Sequence, residues 1–437
     1  MMLNKSANTQ ARIVSSPTIF QAFEVWLKIG FLSFGGPAAQ IALMHREIVD
    51  KKKWLTEQQF LNALSFCMLL PGPEAMQLAT YSGWRLHGTV GGLIAGLLFV
   101  IPGATMIFLL ALIYALYGDI AFVDALFLGI KAAVIVIVVE ALVKVSKRAL
   151  RLKEHWVIAG LAFVGIFFLD LPFPLIILAA AIFGFTRGDQ GLDTTSMTSK
   201  SINVSLFQSV GTILMWLAIW WVPLLLMGFL LGDNLLVHIS VFFSKLAVVT
   251  FGGAYAVLAY LGQDVVSQFG WLTAGEMMDG LGLAETTPGP LILVNEFVGF
   301  LAAYKAGGIW FGLQGALVTL WATFAPCFLW IFTGAPYIDW IGSQPRLKAA
   351  LQAITAAVVG VILNLSIWLS LHVFFEEVTI KSVGPVILLQ PSLETMNYQA
   401  VVLCLISAVF LFKMNWGILR VLFISSLGGL VITGVNI

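Results

Sequence analysis

The chain has 437 residues, 60% of them hydrophobic and only 10% charged. Soluble domains carry about 25% charged residues, so this composition excludes one and predicts a polytopic, all-α membrane protein. The net charge of +1 gives no reason to expect a nucleic-acid partner.

In chain order, residues 1–16 are polar and lack the apolar core of a signal peptide, so insertion is assigned to internal helices. A first transmembrane repeat is expected over 17–186, a linker with one connecting transmembrane helix over 187–234, and a second, inverted repeat over 235–437. The first repeat opens on an apolar stretch ending in Phe34-Gly35-Gly36-Pro37. A cationic loop follows, then Trp54-Leu55-Thr56 and a second break, Leu70-Pro71-Gly72-Pro73. Segments 90–117, 132–143 with its flanks, and 206–231 are long enough to cross a hydrocarbon core of roughly 30 Å. The second repeat brings the same signals back as Phe251-Gly252-Gly253-Ala254, Trp271-Leu272-Thr273 and Thr287-Pro288-Gly289-Pro290. The offsets 251 − 34, 271 − 54 and 288 − 71 are all 217. Duplicated helix breaks in an apolar chain are the mark of a secondary transporter built from two repeats. Cys67, Cys327 and Cys404 are scattered among apolar residues and read as inert thiols, so neither a metal nor another cofactor is expected.

Matched loops carry opposite charge. His45, Arg46 and Lys51 to Lys53 follow the first break, whereas residues 262–270 contain no Lys or Arg. Farther on the offset becomes 224, set by Pro102 and Pro326. There Lys144, Lys147, Arg148, Arg151 and Lys153 are answered by Glu376 and Glu377, and Asp119 and Asp124 by Arg346 and Lys348. Asp170 is answered by Lys413. Cytoplasmic loops collect Lys and Arg, so the two halves are expected in opposite orientations, with Leu206–Leu231 as the crossing that flips the second copy. The Ser/Thr-rich stretch 186–205 would then be cytoplasmic. Lys5 and Arg12 before the first break, and Arg85 and His87 after the second, predict motif segments that enter the membrane and return.

Freed backbone groups are tolerated in lipid only where protein or a polar cavity satisfies them, so the four breaks should meet near the midplane. A helix restarting after a break aims N–H groups and its positive dipole end into that cavity, which suits an anion. Carbonyl oxygens at the same breaks would equally serve a cation. Lys28 and Lys245, offset by the same 217 residues, favour an anion if they face the cavity rather than reach for the interface. Arg85 could act as an oxyanion fork. Symmetry is broken where Met68 becomes Glu285, Glu74 becomes Leu291 and Ala79 becomes Glu296, and where Lys131 and Glu140 become Thr355 and Asn364. Glu74 and Glu285, beside the breaks, are the candidates for proton coupling, with helix-packing hydrogen bonds as the alternative.

The stretch Lys28-Ile29-Gly30-Phe31-Leu32-Ser33-Phe34-Gly35-Gly36-Pro37, with Leu70–Pro73 and Gly83-Trp84-Arg85, resembles the chromate ion transporter family in its long two-domain form. Phe251-Gly252-Gly253 and Ala284-Glu285-Thr286-Thr287-Pro288-Gly289-Pro290-Leu291 look like that family's C-terminal domain. The resemblance covers residues 17–435 and implies inverted repeats and export of chromate across the cell (inner or plasma) membrane, giving resistance. Sulfate, of the same shape and charge, another oxyanion, or an anion channel stays open as an alternative. By motif, Phe34, Gly35, Gly36, Pro37, Pro71, Gly72, Pro73, Arg85, Gly252, Gly253, Pro288, Gly289 and Pro290 become site residues, joined by Lys28, Lys245 and Phe251. No histidine, serine or glycine motif of an enzyme is found, so catalysis is not expected. The expected partners are chromate or sulfate, lipid and, as an open option, a second copy of the chain.

Overall fold

The computed structural model describes residues 17–118, 120–188, 206–251, 254–342, 344–384 and 386–434. Expectations for the 1–16 tail, Asp119, Gly252, Gly253 and most of the 186–205 stretch lie outside these residues.

The first repeat contains α1 (Ile19–Leu32), α2 (Gly36–His45), α3 (Glu57–Cys67) and α4 (Glu74–Tyr117). It continues with α5 (Ala121–Ala149), α6 (Lys153–Leu169) and α7 (Phe173–Arg187). A single helix, α8 (Leu206–Leu231), leads to α9 (Leu235–Val249), α10 (Ala254–Gln263), α11 (Ala274–Thr286) and α12 (Val294–Gly334). A short α13 (Ile338–Gly342) precedes α14 (Pro345–Phe374), α15 (Tyr398–Ala408) and α16 (Ile418–Thr433). Five of the described helical stretches are long and apolar enough to cross a membrane. The molecule is an all-α, multi-pass membrane protein.

The duplicated Trp-Leu-Thr signal has a local cause. Thr56 caps α3 and Thr273 caps α11, each in a capping box with the residue three positions on, Gln59 or Glu276. Each box satisfies two orphan donors of the helix start, which fixes where the element begins.

Neither α4 nor α12 is straight. The backbone leaves helical geometry at His87 and Gly88 (φ 62°), and again at Gly307 and Gly308 (φ 75°). A Cβ on Gly83 would lie 2.2 Å from the Gly91 carbonyl oxygen, and one on Gly315 would lie 2.3 Å from that of Gly299. On a continuous helix residues eight apart are separated by about 12 Å and residues sixteen apart by about 24 Å, so each element doubles back into a short arm and a long arm. Bare glycine surfaces let the arms touch.

The chain also turns back at its Gly/Pro breaks. The His45 and Phe60 rings, on α2 and α3, lie 5.1 Å apart, and the Phe66 and Tyr81 rings, on α3 and the short arm of α4, 6.2 Å apart. His87 Nε2 meets the Pro17 carbonyl at 2.6 Å, so the start of α1 and the end of that short arm share one level.

The two repeats embrace each other. Helix α5 lies along α15 and α16, while α14 lies along α6 and α7. The contacts exchange pairwise: a Cβ on Gly184 would sit 2.4 Å from the Ala349 carbonyl oxygen, and one on Gly429 2.1 Å from that of Ala125. Because Gly429 answers Gly184 and Ala349 answers Ala125, the halves are related by an internal two-fold.

One element departs from the sequence expectation. Strands β1 (Val378–Val383) and β2 (Val386–Pro391) form an antiparallel hairpin between α14 and α15, turned at Gly384 (φ 62°). The β-branched runs Val378-Thr379-Ile380 and Val386-Ile387 suit strands, and the first repeat has only a three-residue link there.

Candidate functional site at the meeting of the helix breaks

Gly103 sits in the middle of the long arm of α4, residues 89–117. A Cβ there would lie 2.2 Å from the Pro288 carbonyl oxygen, so the second repeat's Pro-Gly-Pro break rests on that midpoint. Its counterpart on α12, Cys327, lies against Gly72 in the same way, its Sγ 3.0 Å from where a Cβ would be. An arm of this length spans about 43 Å, which puts both breaks roughly 20 Å from either end.

Backbone hydrogen bonds link the breaks across the repeats. The Gly72 N–H donates to the Thr250 carbonyl at 2.8 Å, and the Gly289 N–H donates to the Ser33 carbonyl at 2.9 Å. Both glycines hold positive φ, 116° and 93°, where a side chain is strained. Ser33 and Thr250 turn their hydroxyls back to the Ile29 and Leu246 carbonyls, each at 2.5 Å, and so close the ends of α1 and α9. Each Pro-Gly-Pro break is thus docked on the helix end that precedes the other repeat's Phe-Gly-Gly.

Two buried glutamines complete the seam. Gln40 Nε2 donates to the Ser33 carbonyl at 3.1 Å and to the Gly289 carbonyl at 2.6 Å, tying the repeats together. Gln77 Nε2 donates to the Pro71 carbonyl at 2.6 Å within its own repeat. Beside the Thr287 break, the Tyr255 hydroxyl donates to buried Glu285 at 2.9 Å. The starts of α2 and α4 carry no side-chain cap, so their first-turn N–H groups have no side-chain partner. Gly35, Gly36 and Pro37 are half-buried and Ala38 and Ala39 exposed, so the start of α2 is open, whereas Thr287 to Pro290 are fully enclosed.

Of the sequence candidates, Pro71, Gly72, Pro73, Pro288, Gly289 and Pro290 converge here with Phe34 to Pro37 and Phe251. Glu74 begins α4 half-buried, with the Arg148 charge acting on it. Lys28, Lys245 and Arg85 do not converge. Lys245 lies on an exposed stripe of α9 with Val241 and Val248, and Arg85 is exposed near the α4 reversal, about 20 Å from the break. Lys28 occupies the matching stripe of α1 and pairs with Glu47 at 3.1 Å. The same Glu47 oxygen takes Lys51 at 2.8 Å. Burial alone would raise the Glu47 pKa, but hydrogen bonds from Lys51 and Lys28 and their charges outweigh it and hold it below the ordinary carboxylate value. Lys28 therefore neutralises a buried carboxylate outside the breaks, because its helical position points away from the packed face of Ala22, Val25, Trp26 and Ile29.

Sequence reasoning missed Gln40, Gln77 and the Ser33/Thr250 pair, although the last is offset by the same 217 residues. It also missed Asp279, which Lys131 approaches at 3.2 Å and the Tyr114 hydroxyl at 2.9 Å. The positions equivalent to these three are Asn62, Thr355 and Ile338, so this charged contact belongs to one half only.

Chemically, the starts of α2 and α4 offer N–H groups of restarting helices, which stabilise negative charge. The pattern of the family described as "Chromate transporter" matches residues 20–185 and 237–432. The chain is 32% identical to the chromate transport protein of Pseudomonas aeruginosa, over 82% of this chain and 83% of that one. It is 30% identical to the chromate transport protein of Cupriavidus metallidurans, over 79% and 81%. With the probable chromate transport protein of Synechococcus elongatus it shares 27% identity, over 82% and 86%. No solved structure matches the chain. Two matched segments, each carrying the paired breaks, place this chain in the chromate transporter family.

Proposed function

We propose that the protein is a secondary active transporter that exports chromate from the cytoplasm across the inner or plasma membrane and so confers chromate resistance. The observation that carries this reading is the reciprocal pair of hydrogen bonds, Gly72 to Thr250 and Gly289 to Ser33, which gathers the four breaks half-way along the long arms. A tetrahedral dianion would be held there by N–H groups at the starts of α2 and α4, with Phe34, Gly35, Gly36, Pro37, Pro71, Gly72, Pro73, Phe251, Pro288, Gly289 and Pro290 around it. Gly252 and Gly253 join this set by motif. Opposite orientation of the repeats in the membrane is part of the proposal, supported by Lys144, Lys147 and Arg148 on one matched helix end against Glu376 and Glu377 on the other. Proton coupling through a buried carboxyl is also part of it.

Everted vesicles holding the protein should accumulate labelled chromate when energised. Sulfate supplied in the same assay decides between the two dianions. Accumulation of sulfate without chromate would reassign the substrate, uptake of neither would remove the oxyanion reading, and unitary currents under voltage clamp would replace the transporter by a channel.

A further inference from the structure

Helix α12 holds a polar cluster that its twin α4 lacks. Asn295, Glu296, Thr319 and Thr323 are each at most 2% exposed. The short arm supplies the first two and the long arm the others; Asn295 Nδ2 donates to Thr323 Oγ1 at 3.3 Å. Thr319 Oγ1 lies 2.0 Å from where a Cβ on Gly299 would stand, so it fills the seam between the arms. Glu296 neighbours Asn295 and is three residues from Gly299, which brings its carboxyl beside that seam. The equivalent positions of α4 are Leu78, Ala79, Ala95 and Phe99, so the first repeat is apolar at all four.

Three oxygens of this cluster, Asn295 Oδ1, Glu296 Oε2 and Thr319 Oγ1, have no hydrogen-bond partner. Among the described residues no charged group pairs with the Glu296 carboxyl, which is buried. The charged groups on packed elements are engaged elsewhere: Asp279 of α11 with Lys131 and with Tyr114 of α4, Glu285 of α11 with Tyr255, and Lys305 of the short arm with Glu276. Of the ionisable groups on α9, His238 pairs with Asp233 and Lys245 faces outward. Leu206–Leu231, which also packs on α12, contains no charged residue. An unpaired carboxylate in such surroundings is strongly disfavoured, and a proton removes that penalty.

We propose that Glu296 is the group that carries the coupling proton, an inference resting on the transport reading above. The proton sits on the carboxyl while the seam between the arms is closed. It passes to water when the arms part on one face, and is replaced from water on the other. Glu285 is a poorer carrier, because the Tyr255 hydroxyl gives its ionised form a partner, and Glu74 is only half-buried at the start of α4.

The test uses the full chain in vesicles with labelled chromate. In the wild type an imposed pH gradient drives accumulation. Glu296→Gln, equal in shape but unable to titrate, should lose at least tenfold of that response while chromate–chromate exchange at equal pH persists, and Glu296→Asp should retain part of it. A gradient response intact in Glu296→Gln, or driven by sodium instead of protons, overturns the proposal. Infrared spectra give a readout independent of the solute: the band of a protonated buried carboxyl should be present at neutral pH and missing in Glu296→Gln, and its absence from the wild type also overturns the assignment. A wild type that shows the band but moves no chromate would sink the substrate reading and leave the proton site standing.

Discussion

The break at Leu70 to Pro73 and its twin at Thr287 to Pro290 share a backbone and differ in nearly everything attached to it. Each glycine takes positive φ, and each donates its N–H to the residue that ends the other repeat's first helix. After the first break α4 starts at once with Glu74, and its arm is apolar at Leu78 and Ala79. After the second, a 3-10 turn over Leu291–Leu293 intervenes, and Asn295 and Glu296 follow. Duplication conserved the conformational requirement, which sequence can meet only with glycine and proline, and left the side chains to diverge in chemistry. The backbone forms the site; the departures from symmetry decide what each half does with it.

The strongest challenge to this equivalence is Gly72→Val against Gly289→Val. Both force a β-branched residue into positive φ, costing about 1–3 kcal/mol each, and both should abolish uptake in vesicles. A normal rate in either would break the pairing. Next in size, Gln40→Leu takes the donor from the buried Gly289 carbonyl, worth about 1–3 kcal/mol, while the Ser33 carbonyl keeps the Gly289 N–H. Thermal unfolding in detergent should show it destabilised more than Gln77→Leu, since Gln40 donates to carbonyls of both repeats and Gln77 to one of its own. Tyr255→Phe removes a single hydrogen bond to Glu285, and a several-fold drop in uptake with little change in melting temperature is expected. Glu47 gives the smallest effect. Its pKa is depressed by folding, so its contribution is present above the ordinary carboxylate value and is lost as pH falls through the lower, folded value. A melting-temperature profile over acidic pH should therefore lose that slope in Glu47→Gln.

Much of this architecture was written in the sequence. The breaks and the repeated Trp-Leu-Thr, set at one 217-residue offset, are local patterns, and local patterns survive duplication. What stayed hidden depends on contacts distant in the chain: Gln40 meets Gly289 across 249 residues, and nothing near Gln40 announces it. Of the two readings open for Lys28, its exposed stripe and Glu47 pairing match the one outside the cavity, because helical facing, not position along the helix, decides where a lysine looks. The reversal of α4 at His87-Gly88 falls where Arg85 and His87 part the second break from the 90–117 crossing, whereas that of α12 at Gly307-Gly308 has no such charge reading. The β1–β2 hairpin has no counterpart in the first repeat from which to infer it.

The exchanged hydrogen bonds between glycine and helix end have a consequence for energetics. A conformer in which the Gly72–Thr250 latch loosens while Gly289–Ser33 holds is the mirror of one in which the roles are swapped. Were the halves identical, the two conformers would be isoenergetic, and the resting preference would be even. Any bias toward one facing must come from unmatched side chains such as Gln40, Tyr114 and Lys131, which act as ballast on an otherwise balanced rocker.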